Sequence, residues 1–277
     1  MTFQPIVPFG GFSGWQLINR TLKVQQAAFD NSPAVSREVE YFRENIGKIT
    51  TAEDLVADRT LRKIALGAFG LNEDIDNRFF IRKVLEDGTL DPKALSNRLA
   101  DKRYLGFSEA FGFGDSAIPS TLLPGFAEEI VSSYQTRQFE IAVGAQQDEL
   151  RLAFTVERDL ADIASGDLGD DAKWFTVLGN PPLRSAFETA LGLPSAFVGL
   201  DLDQQLGVLR DRMESFTGNS EISQFTDPEA MDNFVQLFLV RADIASGPSA
   251  STPGIAALSL LSQTNQSSLI LQTVFSG

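Results

Sequence analysis

The sequence predicts an all-α protein, a multi-helix orthogonal or bundle-like assembly with an internally duplicated helical module and one long central helix. Three observations predict it. Apolar residues recur at spacings of three, four and seven along most of the chain. Helix-start signals and glycine stops punctuate those stretches. Runs that alternate apolar and polar residues, the mark of strands, are not seen.

Residues 1–13 carry no charge and are rich in Phe, Gly and Pro, which predicts a flexible N-terminus ahead of a helical domain over 14–245. Ser13 with Gln16 has the form of a capping box, and Trp15, Ile18, Leu22 and Phe29 follow on one helical face. Ser32-Pro33 reads as an N-cap and first helical residue, with Val35, Val39, Phe42 and Ile46 as the apolar stripe. Thr50 and Glu53 suggest a second capping box, opening a short helix through Val56. Asp58 precedes a helix bearing Leu61, Ile64 and Ala68, stopped by Gly70. Asn72 is expected to cap the next, with Ile75, Phe79 and Val84 inward and Gly88 at its end. Asp91-Pro92 should open another, with Leu95 and Leu99 inward.

From Pro124 the apolar positions Phe126, Ile130, Tyr134, Ile141, Leu152, Val156 and Ile163 keep helical phase, which predicts the long helix over about 125–165. Unbroken, it would reach about 60 Å at 1.5 Å per residue, and Gly144 is its weak point. Trp174, Phe175 and Leu178 lie on a short helix ended by Gly179. Asn180-Pro181 opens a helix with Leu183, Phe187 and Leu191. Leu202, Leu206, Leu209, Met213 and Phe216 mark the next, and Asp227-Pro228 opens one with Met231, Val235 and Phe238. Residues 246–254 read as a linker by composition, and 255–277 as a last, uncharged helix of the kind that docks on another surface.

The duplication rests on two blocks that recur in order. Leu61-Arg62, Ala68 and Gly70-Leu71 correspond to Leu183-Arg184, Ala190 and Gly192-Leu193. Asp91-Pro92, Ala94 and Asn97 correspond to Asp227-Pro228, Ala230 and Asn233. The copies would span about 52–112 and 172–244. The repeated arginines Arg62 and Arg184 are expected to pair a carboxylate or a helix end within each copy.

Composition narrows the function classes. Thirty-seven acidic against 23 basic residues give a net charge of −14, and no basic footprint of a nucleic-acid binder is visible. With neither Cys nor His, thiolate and imidazole metal sites, cysteine nucleophiles and histidine-dependent triads are excluded. The glycines at 10, 11 and 14 lack dinucleotide-fingerprint spacing, and Asp167–Asp171 lacks the calcium-loop pattern. No catalytic, cofactor-binding or metal-ligating residues are therefore assigned, although paired carboxylates keep a carboxylate-based enzyme formally open. No apolar run is long enough to cross a bilayer, and no cleavable signal peptide is recognisable. The chain has 22 Phe against 3 Tyr and 2 Trp, which suits a Phe-packed core first and an apolar peptide groove second.

Trp174-Phe-Thr-Val-Leu-Gly-Asn-Pro-Pro-Leu-Arg-Ser-Ala-Phe-Glu-Thr-Ala-Leu-Gly-Leu-Pro194 and Leu200-Asp-Leu-Asp-Gln-Gln-Leu206 resemble a bacterial family whose domain has no known function. Ala68-Phe-Gly-Leu71, Phe80-Ile-Arg-Lys-Val-Leu85 and Asp91-Pro92 resemble it too, and the likeness covers roughly 15–242. The family is typical of alphaproteobacteria and is often encoded within flagellar gene clusters. The resemblance implies an all-helical fold and a role near the flagellum. The location expected is cytoplasmic or flagellum-associated, and the partner expected is a protein, in the first place a flagellar component, with self-association left open. The expected function is a non-enzymatic structural, assembly or interaction protein. The alternative is a cytoplasmic chaperone or adaptor with an apolar groove. The interaction residues expected are Phe9, Phe12 and Trp15 at one end and Leu258, Leu261, Leu269 and Phe275 at the other.

Overall fold

In a computed structural model the described residues are 3–246. Among them are fourteen α-helices and no strand. They are α1 (Gly11–Asp30), α2 (Pro33–Asn45), α3 (Ala52–Ala57), α4 (Arg59–Ala68), α5 (Arg78–Asp87), α6 (Leu95–Arg98) and α7 (Arg103–Phe111). There follow α8 (Phe126–Gly144), α9 (Asp148–Thr155), α10 (Ala161–Ser165), α11 (Asp170–Leu178), α12 (Pro181–Ala190), α13 (Leu202–Thr217) and α14 (Pro228–Ser246).

The expected long helix over 125–165 is corrected to a helical hairpin. α8 ends at Gly144, Gln147 is extended, and the chain returns along itself through α9, a π-helical turn (Val156–Leu160) and α10. Gly144 permits the break twice over. It is a poor helix former, and the Arg151 side chain of the returning arm, α9, packs where a Cβ would sit. An unbroken rod would have left most of its apolar circumference bare, whereas the hairpin buries Tyr134, Phe139 and Val143 on α8 with Leu150, Ala153 and Phe154 on α9.

The hairpin is the centre of the molecule. α2 and α4 lie against α8, α12 and α14 lie against α9, and α1 touches α8, α9 and α14. Three aromatic clusters fill the core. Phe107, Phe111 and Phe126 meet in the N-terminal half, with Phe111 centroids 5.1 Å from both neighbours. Trp15, Phe154 and Phe139 join α1 to the hairpin, and Trp174, Phe187, Phe225 and Phe234 meet in the C-terminal half.

Local capping follows the sequence at several starts. Asp58 accepts from the amides of Thr60 and Leu61, Asn180 from Leu183, and Asp201 from Gln204. Other starts differ. α1 begins at Gly11, so Ser13 lies inside the helix and forms no capping box. The second box sits one residue later than expected, with Thr51 accepting from the Asp54 amide. Asp91-Pro92 heads turns before the single-turn α6, because Asp115 binds the amides of Thr89 and Leu90 and fixes that stretch as a turn. Phe79, expected inward, is exposed. Residues 3–10 are not a loose lead: Gln25 brackets Ile6 through both its amide and its carbonyl, Gln146 donates to the Pro5 carbonyl, and Val7 is buried. Ser246, read as the start of the linker, still belongs to α14. The rest of that linker and the helix expected over 255–277 lie outside the described residues.

The first pair of repeated blocks has one local geometry. Gly70 and Gly192 both have left-handed φ, +70° and +62°, directly after α4 and α12. The Leu71 amide reaches the Leu66 carbonyl and the Leu193 amide reaches that of Glu188, both at 2.9 Å. The second pair diverges, since Asp91-Pro92 leads into turns and Asp227-Pro228 opens α14 directly.

Candidate functional sites: a buried ion cluster and an apolar end

The π-helical turn carries a network of ion pairs set among largely buried groups. Such a turn widens a helix by one residue, and it is often found at functional sites. Here Val156 and Leu160 anchor it in the core, and Arg158 and Asp159 face the neighbouring helices. Asp159 receives Arg137 of α8 at 3.2 Å, Arg158 at 2.8 Å and the Asn180 amide at 3.1 Å. Arg158 also forms a close ion pair with Glu140 of α8. Arg137 donates its Nε to the Ala68 carbonyl at the end of α4, and Arg103 donates to that of Gly70 while pairing Asp101.

The electrostatics are those of a knit cluster. Burial pushes the Asp159 carboxyl up, but Arg137, Arg158 and Asn180 outweigh it and hold it below its ordinary range. Glu140 is raised, because burial exceeds what Arg158 and Arg137 return to it. An acid held ionised by two guanidiniums suits a structural ion pair better than proton transfer. The cluster ties the hairpin to the end of α4 on one side and to the start of α12 on the other. Asn180 does this twice, binding Asp159 with its amide nitrogen and capping α12 with its oxygen.

Neither this cluster nor its π-turn was predicted from the sequence. Its residues are scattered from Arg103 to Asn180, and a π-turn leaves no signature that a 3.6-residue period reveals. The repeated arginines were read from the sequence. Arg62 is fully buried and donates to carbonyls of Val56, near the end of α3, and Ile75, while Arg184 pairs Glu188 at 2.8 Å.

The predicted N-terminal anchors separate into three environments. Trp15 is buried edge-on against Phe154, 4.7 Å between centroids, so it belongs to the core and offers no free surface. Phe12 is half-buried against the core, and Phe9 is 44% exposed. Leu258, Leu261, Leu269 and Phe275 lie outside the described residues.

What the sequence did not reveal is where Phe9 sits. Gly11 lies against the Asp243 carboxylate, closer than an added side chain allows unless that carboxylate moves aside. The N-terminal segment therefore meets the last turns of α14, where Val240 and Ile244 are 43% and 75% exposed. Ile6, 66% exposed, directly follows Pro5, whose carbonyl Gln146 holds. Among the described residues, no helix is long and apolar enough to cross a membrane.

The profile of a family described as "Protein of unknown function (DUF1217)" matches residues 68–231. The chain is also similar to a protein of Agrobacterium tumefaciens whose X-ray crystal structure is known, with a TM-score of 0.69 and 25% identity over 86% of this chain and 97% of that one. No curated protein matches.

Proposed function

We propose a role for this chain from one premise: it belongs to the DUF1217 family, proteins of unknown function. Its role is that of a non-enzymatic interaction protein, binding a protein partner in flagellar assembly or function through a surface made by both ends of its helical domain. The observation that carries this reading is the seating of Gly11 against Asp243. It makes one surface of two segments that are far apart in sequence, with Phe9 on one and Val240 and Ile244 on the other. Exposed apolar side chains held by a rigid scaffold are the usual material of an interface core. From Ile244 to Gly277 the sequence has no charged residue, so a partner meeting this end encounters no desolvated charge from that stretch.

The flagellar part of the proposal is supported by the sequence resemblance to a family often encoded in flagellar gene clusters. Motility of the source bacterium tests it. Deleting the gene, with no second copy present, should impair swimming, and normal swimming would remove the flagellar assignment. The surface is tested separately by Phe9→Ser with Ile244→Ser. Both positions are exposed, so the variant should melt within about 0.5 kcal/mol of the parent. It should nevertheless fail to restore swimming. Full restoration would move the interface elsewhere on the molecule.

A further inference from the structure

The ion cluster borders a cleft of about 200 Å³ between α7, α8, α10 and α11. The N-terminal and C-terminal halves meet beside it, where the Lys102 amide donates to the Gly179 carbonyl at 2.8 Å. Clefts between helices and at such junctions are common sites for small molecules. This one exceeds the cavity of about 150 Å³ that accepts benzene, so it suits a ligand of about six to ten heavy atoms.

Its polar groups have free valences of both signs. Arg137 uses Nε on the Ala68 carbonyl and Nη2 on Asp159, and its Nη1 makes no hydrogen bond among the described residues. Lys102 donates to the carbonyls of Asn97 and Leu99, which leaves one ammonium proton. Asp162 also lines the cleft, and its carboxylate forms no ion pair among the described residues. Partial burial and then the neighbouring Asp159 raise its carboxyl, a state that a cation placed there would relieve. Phe69 and Ile163 supply apolar wall.

Gly106 adds an independent observation. It lies within α7, where glycine weakens a helix relative to alanine. A Cβ there would meet nothing within 4 Å, so packing does not require glycine. Gly106 lines the cleft, and what a glycine gives at that position is room.

We propose that this cleft binds a small zwitterion of the α-amino-acid class, its carboxylate on Arg137 and Lys102, its ammonium on Asp162 and its side chain toward Phe69 and Ile163. A simple anion would leave the Asp162 carboxylate unused, and a simple cation would leave the free Nη1 of Arg137 unused. A zwitterion satisfies both, at a size the cleft holds. The site is separate from the terminal surface of the proposed function, and either stands without the other.

Calorimetric titration and thermal melting of the full chain, with each common amino acid at millimolar concentration, test it. At least one should bind saturably and raise the melting temperature. Its N-acetyl derivative and its methyl ester should each bind at least about tenfold more weakly, the loss expected for one charge-assisted hydrogen bond. Gly106→Leu should block binding by filling the cleft, without lowering the melting temperature. Asp162→Asn, at an exposed residue whose side chain holds no neighbour, should fold as the parent does and weaken binding by the same factor. The proposal is overturned if no amino acid binds, if inorganic phosphate binds equally well, or if either variant binds as tightly as the parent.

Discussion

α4 and α12 share a Leu-Arg pair, an alanine near the C-terminus and a Gly-Leu stop, yet their arginines have different fates. Arg62 is fully buried and bridges Val56, near the end of α3, to Ile75, ahead of α5. Arg184 keeps a quarter of its side chain in solvent, pairs Glu188 one turn away and lies 5.9 Å from the Phe197 ring centroid. The surroundings make the difference. On α4 every residue from Ile64 to Ala68 is buried, because α2, α3 and α8 surround it. On α12 only Leu183, Ala186, Phe187 and Ala190 are buried, a single face. A local motif thus fixes the helix end, and tertiary cover decides what the arginine beside it does.

The largest expected effect would break or confirm that contrast. Arg62→Met leaves two interior carbonyls without their donor, at roughly 1–3 kcal/mol each. Arg184→Met removes a partly exposed pair worth about 0–1 kcal/mol. Denaturant melts of the two variants should therefore differ several-fold in lost stability. Equal losses would mean that burial of Arg62 carries no special weight.

The helix ends themselves should behave alike. Gly70→Ala and Gly192→Ala each force a side chain into a left-handed conformation, costing about 1–2 kcal/mol. At Gly192 the Arg241 guanidinium must also move, but it is the far end of a flexible side chain. The two losses should agree within about 1 kcal/mol. A clear difference would show that the caps are as dependent on context as the arginines.

A smaller effect concerns the second repeated block, where Asp115 separates the two copies. Burial works to raise its carboxyl, but hydrogen bonds from Thr89 and Leu90 outweigh it and hold it below the usual value of 3.8. A depressed acid contributes stability that is full above that value and lost as pH falls through the lower, folded one. Asp115→Asn should cost stability at neutral pH and lose less than the parent on acidification below about pH 4. A parallel acid response in both proteins would show that Asp115 is not what holds the turn of residues 88–91.

The helical class and most of the core were legible because they depend on local rules. Val35, Val39, Phe42 and Ile46 are all buried as their spacing requires, and Asp58 and Asn180 cap as their chemistry allows. The hairpin was only half legible. Gly144 marks the weak point, but periodicity survives the reversal, since both arms present apolar faces to the same centre. The ion cluster and the cleft were not legible, because they are made by residues from α7, α8, the π-helical turn, α10, α11 and the start of α12 that only the fold brings together. The apolar end was legible in its composition and not in its geometry. Nothing local in Gly11 or Asp243 announces that they touch.

The smallest expected effect follows from an error of phase. Counting from Ile75 by fours puts Phe79 inside, but that count assumes one helix from Asn72. In the structure residues 72–74 form a separate 3-10 turn, and α5 begins only at Arg78. The new helix sets its own phase, burying Ile81, Val84 and Leu85, while Phe80 stacks edge-on to Tyr104 at 5.2 Å and Phe79 is left 83% exposed. Phe79→Ala should therefore change stability by no more than about 0.5 kcal/mol, as at other exposed sites. Phe80→Ala removes half-buried aromatic surface and the Tyr104 contact, and should cost more than about 1 kcal/mol. The pair is a clean test because the residues are identical and adjacent, so helix propensity is the same for both. Should Phe79→Ala prove the costlier, Phe79 would be the inward residue, and the helix would run unbroken from Asn72 as the simple count supposed.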